Sequence, residues 1–395
     1  MARRSVDEHA ARIAALVAPA LAGLGTELLP LAAARGRVLA EEVTSAVPLP
    51  PFRNSQMDGW AARAAEVADA PLLLPVAGVQ AAGAATPRTL PPGAVLKVMT
   101  GAPLPDGADC VVPVEDAEAE GDSVRILRGR APGEFVREAG SDLPAGAVLG
   151  PAGALLTPRR LAALAAGGVA EVPVRRRARV AVLTTGEEIV APGRPLAFGQ
   201  VYDANETALV ALLQEAGADP LPPIRTPDDP AAFAAALDVA VRVADLVITS
   251  GGISHGDFEV VRQVLEPRGA EVVEIAMQPG GPQALASVGG TPVVGFPGNP
   301  VSTQVSFVVL LRPLLRAAAG LPPIDASIVP LGVALASPAG RRQWLRGRIE
   351  TGRATPVGGP SSHLVATMAD ADVLLDVPAD VERLEAGDPI AVLPL

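Results

Sequence analysis

The stretch 178-ARVAVLTTGEE-188 decides the fold, because a long apolar run ends there in a turn of glycine and glutamate. Three later runs follow the same course: 245-DLVITS-250, 270-AEVVEIAM-277 and 292-PVVGF-296. Helical spacing of apolar residues accompanies them near 205–216, 229–243, 257–268 and 300–319. Continuous hydrophobic strands that alternate with helices are typical of a parallel sheet covered on both faces. The sequence therefore predicts a doubly wound α/β domain in this part of the chain.

The loops that follow the predicted strands are rich in glycine. They are 184-TTGEE-188, 249-TSGGISHGD-257, 278-QPGGP-282 and 296-FPGNPVS-302. Ligands of open α/β sheets bind beyond the carboxyl ends of the strands, and glycine lets backbone N–H groups approach an anion there. One such loop is most often a simple turn, but four at one edge predict a phosphate-binding crevice. None of them matches the dinucleotide or P-loop pattern.

The loop 296-FPGNPVS-302 also predicts the start of a helix. Asn299 can cap it, Pro300 can take its first position, and Ser302 falls in its first turn. We interpret this as a helix N-terminus suited to an oxyanion.

Carboxylates fall in or near the same loops: Glu187, Glu188, Asp228, Asp229, Asp257 and Glu259. Phosphate beside carboxylates is repelled unless a hard cation lies between them. Magnesium binds a few carboxylate oxygens together with substrate phosphate oxygens, and it would reconcile the two sets. The alternative for Asp228 and Asp229 is that they cap the helix after them, and both interpretations stay open.

The regions on either side of this α/β segment have a different sequence pattern. The pattern 5-SVDE-8 predicts a capping box that opens a helix over 6–22. Short apolar runs such as 72-LLLPVAGV-79 and 109-DCVVPVE-115 predict strands joined by tight turns. A short helix is expected over 157–168, with Thr157 as its cap. From about 325 to Leu395 the pattern again predicts short strands joined by turns, as in a small β domain.

Composition excludes several classes of protein. The 395 residues carry 43 acidic and 32 basic side chains, a net charge of −11 that disfavours nucleic-acid binding. Lys97 is the only lysine, and Cys110 is the only cysteine and is expected in a core. No apolar run reaches the ~18 residues of a membrane span, and the N-terminus lacks a secretory signal. The chain is therefore expected in the cytoplasm.

Six motifs in order connect the chain with a known family: 54-NSQMDGWA-61, 99-MTGAPLPDGAD-109, 137-REAGSD-142, 183-LTTGEE-188, 249-TSGGISHGD-257 and 296-FPGNPVS-302. Through them the chain resembles the MoeA-type molybdopterin molybdenumtransferases, which include the gephyrin E domain. The resemblance extends over nearly the whole length.

The resemblance implies a homodimer of four-part subunits. Residues 1–45 and 141–176 would form a discontinuous arm, 46–140 an inserted β-rich domain, 177–325 the molybdopterin-binding α/β domain, and 326–395 a small β-barrel. The inserted domain of the partner subunit would complete the crevice. A molybdopterin adenylyltransferase and molybdoenzymes are the implied partners, without nucleic acid or membrane.

The implied reaction takes adenylylated molybdopterin and molybdate, hydrolyses the adenylate link with Mg²⁺, and releases AMP. By motif, the catalytic residues are Asp58, Glu188, Asp228 and Glu259, of which the last three would bind the metal. The implied substrate-binding residues are Thr100, Arg137, Asp142, Gly251, Gly252, Ser254, Pro297, Gly298, Asn299, Pro300, Ser302, Arg346 and Ser362. Ser302, Arg346 and Ser362 are expected on the molybdate side.

Departures from the family pattern leave two alternatives open. Gln278 and Gly281 stand where the family usually has lysines, a loss of about 1–3 kcal/mol each if no other cation replaces them. The first alternative is a non-catalytic molybdopterin-binding scaffold, which the retained carboxylates and the Pro-Gly-Asn-Pro loop oppose. The second is a molybdopterin adenylyltransferase, which the inserted and C-terminal domains oppose.

Overall fold

The computed structural model describes residues 3–83, 86–253 and 259–395. The chain forms two compact units, one of Met1–Glu27 with Arg175–Leu395 and the other of Leu28–Val174. The first helix therefore groups with the α/β region, whereas the family division places it in the arm. The four-part division as a whole stays a prediction.

Helix α1 (Val6–Ala22) opens the first unit with the predicted capping box. The Glu8 N–H donates to Ser5 Oγ at 3.2 Å, and the Ser5 N–H donates to Glu8 Oε2 at 2.9 Å. Two donors that a helix start leaves unpaired are thereby satisfied. The buried stripe of α1 includes Ile13 and Val17, which share a core with the α/β sheet. Burial of this stripe is the physical reason that α1 belongs to the first unit.

The second unit is mainly β structure. Its elements are β1 (Thr26–Pro30), β2 (Val43–Thr44), β3 (Asn54–Ser55), β4 (Gly59–Ala62), α2 (Ala64–Val67), β5 (Leu72–Gln80), β6 (Val95–Val98), β7 (Cys110–Pro113), β8 (Ala117–Glu120), β9 (Ser123–Ile126), β10 (Val136–Arg137), β11 (Val148–Gly150), α3 (Pro158–Ala166) and β12 (Glu171–Arg175). A six-stranded sheet of order β7-β4-β6-β5-β9-β8 lies at its centre. Cys110 is buried in this core as predicted, and burial raises the pKa of its thiol to about 12. Thr157 precedes α3 as predicted, but its side chain makes no capping hydrogen bond.

The α/β region of the first unit follows the predicted alternation of strands and helices. Its elements are β13 (Arg179–Thr185), β14 (Ile189–Val190), β15 (Val201–Tyr202), α4 (Ala204–Glu215), β16 (Asp219–Pro220), β17 (Ile224–Thr226), α5 (Pro230–Val243), β18 (Leu246–Ser250), α6 (Val260–Leu265), β19 (Glu271–Glu274), β20 (Met277–Gln278), β21 (Pro282–Val288), β22 (Thr291–Phe296), α7 (Pro300–Ser306) and α8 (Arg312–Ala319). A π-helical turn, Phe307–Leu311, joins α7 to α8.

The main sheet has the order β16-β13-β18-β22-β21-β19, with β17 also beside β13. Strands β13, β18 and β22 are parallel, whereas β21 runs antiparallel to both β22 and β19. The sequence prediction missed β21. Gly289 and Gly290, both at positive φ, close a tight hairpin between β21 and β22. Because β19 is antiparallel to β21, its carboxyl end still lies at the same edge as those of β13, β18 and β22.

Alternate residues of β13 face two different cores. Val180 and Val182 pack with α1, α4 and the α7–α8 helix, whereas Ala181 and Leu183 pack with α5 and α6. Burial on both faces explains why the sequence of this strand is an unbroken apolar run. The Pro300–Ala319 helix is long and apolar enough to cross a membrane, but 61% of its apolar stretch is buried inside the protein, as in a core helix.

The C-terminal part of the first unit is a small β structure, as predicted. Its elements are β23 (Ser327–Pro330), β24 (Leu335–Ala336), β25 (Arg342–Glu350), β26 (Arg353–Pro356), α9 (Val365–Met368), β27 (Val373–Val377), β28 (Arg383–Leu384) and β29 (Pro389–Pro394). Five strands form a sheet of order β20-β25-β27-β29-β23, and β26 pairs with β25. Strand β20 belongs to the loop after β19, so this loop is also an edge strand of the C-terminal sheet.

Candidate functional site

A cavity of about 780 Å³ lies at the carboxyl edge of the α/β sheet. This volume is in the range of sites that enclose small molecules and cofactors. All four predicted loops contribute to its walls, together with Arg341 and residues 360–362. The sequence prediction that these loops meet at one crevice is therefore confirmed in the geometry.

The cavity brings together most of the predicted site residues of this unit. They are Glu188, Asp228, Gly251, Gly252, Glu259, Pro297, Gly298, Asn299, Pro300, Ser302 and Ser362. Ser254 lies outside the described residues, as do His255 and Asp257. Arg346 does not line the cavity.

Glycine is required where the loops after β18 and β22 meet. Gly251 and Gly252 have φ values of +93° and +63°, which L side chains rarely adopt. A β-carbon on Gly298 would lie 3.3 Å from the Gly251 Cα. The two loops therefore approach each other backbone to backbone, leaving main-chain groups rather than side chains along this wall.

Asp228 holds the loop after β13 in place. Its Oδ1 accepts a hydrogen bond from the Thr185 hydroxyl at 2.5 Å, and its Oδ2 accepts one from the Glu187 N–H at 3.1 Å. Its neighbour Asp229 accepts the Ala232 N–H at 2.6 Å and caps α5. The two interpretations of this acidic pair thus divide between its members, since Asp229 is the cap and Asp228 lines the cavity.

The fit of a magnesium ion depends on the carboxylates of the cavity. Glu188, Asp228 and Glu259 all line it, but within the described ranges no group of three or more His, Cys, Asp or Glu side chains is arranged to hold a metal. Both oxygens of Asp228 already accept hydrogen bonds. Magnesium often takes only one or two carboxylates and completes its shell with water and substrate phosphate. The donor set therefore fits magnesium together with a phosphate-bearing ligand, not as a preformed three-carboxylate site.

Two residues that the sequence prediction missed organise the same edge. The buried Asp203 accepts hydrogen bonds from the Thr184 hydroxyl at 2.8 Å and the Glu206 N–H at 2.8 Å, so it caps α4. The Asn205 amide donates to Ser250 Oγ at 2.9 Å and to the Gly298 carbonyl at 2.7 Å. The pattern 203-DANE-206 is a capping signal that could have identified Asp203.

Arg346 has a structural position that the sequence did not predict. It is 3% exposed, and its guanidinium donates to the carbonyls of Gly359 and Ser361. Burial lowers the pKa of this guanidinium, and among the described residues it has no carboxylate partner. Arg346 therefore holds the segment that carries Ser361 and Ser362 to the cavity wall, and its contact with the ligand stays a prediction.

The start of α7 also differs from the prediction. Asn299 precedes the helix and Pro300 occupies its first turn, but the Asn299 side chain makes no capping bond. The Val301 N–H instead donates to the Ser362 carbonyl at 3.1 Å. A main-chain carbonyl from the C-terminal part thus replaces the expected side-chain cap, and it ties Ser362 to the cavity.

The remaining predicted residues lie in the second unit. The N–H and the hydroxyl of Thr100 donate to Asp58 Oδ1 at 2.6 and 2.8 Å. These two hydrogen bonds hold the pKa of Asp58 below its usual range. Arg137 and Asp142 are exposed, and among the described residues neither side chain hydrogen-bonds to Asp58 or Thr100. The structure thus brings Asp58 and Thr100 together but does not join Arg137 or Asp142 to them.

Three family models match successive parts of the chain. Residues 4–168 match the MoeA N-terminal region (domain I and II), and residues 181–317 match a probable molybdopterin binding domain. Residues 329–395 match the MoeA C-terminal region (domain IV).

Relatives and solved structures match over nearly the full length. Molybdopterin molybdenumtransferase 2 of Mycobacterium tuberculosis is 42% identical over 98% of this chain and 99% of its own. The molybdopterin molybdenumtransferase of Haemophilus influenzae is 34% identical over 93% of this chain and 94% of its own. A crystal structure of a molybdopterin biosynthesis MoeA protein from Pyrococcus horikosii superimposes with a TM-score of 0.78 at 33% identity, covering 97% of this chain and 98% of that one.

Proposed function

The chain belongs to the MoeA family of molybdopterin molybdenumtransferases, and we propose that it inserts molybdenum from molybdate into adenylylated molybdopterin with magnesium-dependent release of AMP. The observation that carries this proposal is the cavity at the carboxyl edge of the α/β sheet. Glycine backbone, carboxylates and serine hydroxyls line it together. This combination suits a ligand that carries both phosphate and a metal oxyanion.

Each group in the cavity has a role in the proposed reaction. The main chain around Gly251, Gly252 and Gly298 would bind the phosphates. Among the three predicted metal ligands, Glu188 is the best placed to hold magnesium, because its side chain makes no hydrogen bond or ion pair to a described residue, whereas Asp228 is fixed by two hydrogen bonds. Magnesium held there would supply positive charge that offsets the negative charge of the phosphates.

The hydroxyls of Ser302 and Ser362 are the proposed donors to molybdate. Both residues line the cavity, and within the described part of the chain neither hydroxyl makes a hydrogen bond to another protein group. The Val301 N–H bond to the Ser362 carbonyl keeps the two serines in adjoining segments.

Incubation of the pure protein with adenylylated molybdopterin, Mg²⁺ and molybdate tests the proposal. We expect AMP to appear, measured by chromatography, and its release to require Mg²⁺. Binding without AMP release would indicate the scaffold alternative. Formation of adenylylated molybdopterin from ATP would indicate the adenylyltransferase alternative, which the full-length match to molybdenumtransferases opposes.

We propose in addition that the protein is a homodimer in which the partner subunit's Asp58 completes each site. This follows from the family resemblance. Light scattering should give twice the 39.9 kDa of the chain, and a monomer would contradict the shared site.

Subunit mixing tests the shared site directly. Asp58→Asn and Glu188→Gln homodimers should both be inactive. After exchange, about half of the dimers are mixed and each has one intact site, so roughly a quarter of wild-type activity should return. No recovery despite proven exchange would place both residues in the site of one subunit. A cytoplasmic location, with an adenylyltransferase and molybdoenzymes as partners, completes the proposal.

A further inference from the structure

Only one positively charged side chain, Arg341, is found among the described residues that line the cavity. The acidic residues of the wall are Glu188, Asp203, Asp228, Glu259 and Glu274. Such a wall repels an anionic substrate, and the low dielectric of a cavity strengthens that repulsion. A single cation there has a large influence on anion binding.

Arg341 differs from its neighbour Arg342 in having no hydrogen-bond or ion-pair partner among the described residues. The guanidinium of Arg342 donates to Asp376 at 2.8 and 2.6 Å and to Asp7 at 2.9 Å, and it lies 5.0 Å above the Trp344 ring. Arg341 is half-buried, and its side chain makes no hydrogen bond or ion pair to any described residue. Its five N–H donors therefore remain available to a ligand.

The backbone fixes Arg341 at one end of the cavity. The N–H of Arg342 donates to the Ala276 carbonyl at 2.9 Å, and Met277 pairs with Arg342 in register. Arg341 thus lies beside the loop 277–282 that forms this end. Residues 360–362 reach the same cavity on the segment that Arg346 holds. Arg341 places a positive charge at the cavity, while the guanidinium of Arg346 donates hydrogen bonds to main-chain carbonyls.

We propose that Arg341 binds the oxyanion substrate of this cavity, a tetrahedral dianion such as molybdate, and that Arg346 is a positioning residue. This inference rests on the proposed function. The planar guanidinium fork can donate two parallel hydrogen bonds to two oxygens of the dianion. The loop 277–282 has no cation of its own, since Gln278 and Gly281 line the cavity there.

Equilibrium dialysis of the full chain with molybdate alone tests the proposal. Arg341→Ala should weaken molybdate binding about 10- to 100-fold, as expected for the loss of charge-assisted hydrogen bonds. Arg341→Lys keeps the charge without the fork and should fall between the alanine variant and wild type. The melting temperature of both variants should stay close to that of wild type, because no hydrogen bond or ion pair to a described residue is lost. Arg353→Ala, which removes the same charge from an exposed position outside the cavity, should bind molybdate as wild type does.

Three outcomes would overturn the proposal. Molybdate binding within about twofold of wild type in Arg341→Ala would exclude Arg341, while wild-type AMP release would leave the proposed function standing. A variant that loses AMP binding but keeps molybdate binding would assign Arg341 to the nucleotide phosphate. Absence of molybdate binding in the wild type would remove the oxyanion site, and only an accompanying lack of AMP release would also remove the proposed function.

Discussion

The cavity of the α/β region and the Asp58–Thr100 pair of the second unit both present carboxylates, but they hold them differently. In the cavity, Asp203 is 3% exposed and accepts hydrogen bonds from Thr184, Glu206 and Arg225, while Asp228 accepts two from the loop after β13. Asp58 is exposed, and both of its hydrogen bonds come from a single residue. A buried carboxylate that several residues fix is preorganised for chemistry, whereas Asp58 depends on the single residue Thr100 and stays open to solvent.

The largest expected effect concerns Glu188, a cavity carboxylate whose side chain makes no hydrogen bond or ion pair to a described residue. Glu188→Gln keeps the shape of the side chain but removes its charge. Magnesium-dependent AMP release should fall by at least about 100-fold, since metal binding accounts for several kcal/mol of charge stabilisation. Urea unfolding should be unchanged.

The matched control is Glu187→Gln, because Glu187 is the adjacent carboxylate and its side chain does not line the cavity. It should release AMP at the wild-type rate. Equal losses in the two variants would mean that the loop tolerates no charge change, and the special role of Glu188 would be wrong.

The second prediction tests whether Arg346 stabilises the wall of the cavity. Arg346→Ala leaves the carbonyls of Gly359 and Ser361 without their donor and should lower the free energy of unfolding by about 2–3 kcal/mol. Urea denaturation measures this. Arg348→Ala on the same strand removes an exposed pair with Asp370 and should cost less than about 1 kcal/mol. Equal stability of the two variants would contradict the buried role of Arg346.

The smallest effect is expected in the second unit. Thr100→Val removes the hydroxyl bond to Asp58 and keeps the N–H bond, so the pKa of Asp58 should rise toward its ordinary value. A lowered carboxyl pKa favours the folded state above the ordinary aspartate pKa, and this contribution is lost as the pH falls through the folded value. Carbon NMR of the side-chain carboxyl follows the titration. Thr100→Ser keeps both bonds and should titrate as wild type; an unchanged pKa in the valine variant would show that the hydroxyl bond has no influence.

Much of the α/β region could be predicted because its signals are local. The apolar runs at β13, β18 and β22, the capping box at Ser5 and the glycine loops all follow from residue spacing. Strand β21 was missed because its hairpin with β22 depends on Gly289 and Gly290 as a turn rather than on periodicity. The place of α1 was also missed, since the sequence shows a buried stripe but not which core buries it.

The cavity residues were predicted less well than the cavity itself. Motif position identified Arg346 as a residue of the molybdate side. A sequence does not show where a strand side chain points, and the guanidinium of Arg346 donates to main-chain carbonyls. Arg341 was missed because arginine replaces lysine almost throughout this chain and gives no compositional signal. Asn299 was expected to cap α7. The Ser362 carbonyl, 63 positions later in the chain, takes this role instead.

Strand β20 links the cavity to the C-terminal sheet in a way that bears on how the protein opens. Its residues Met277 and Gln278 belong to the cavity loop, yet they pair with Arg342 and Gln343 of β25. Separation of β25 from its sheet therefore also breaks main-chain hydrogen bonds of the cavity loop. The C-terminal sheet and the site then act as one cooperative unit, in which amide protons of both should exchange with solvent together. Damage to the last strands of the chain would therefore lower the stability of the C-terminal sheet and the ligand affinity of the cavity together.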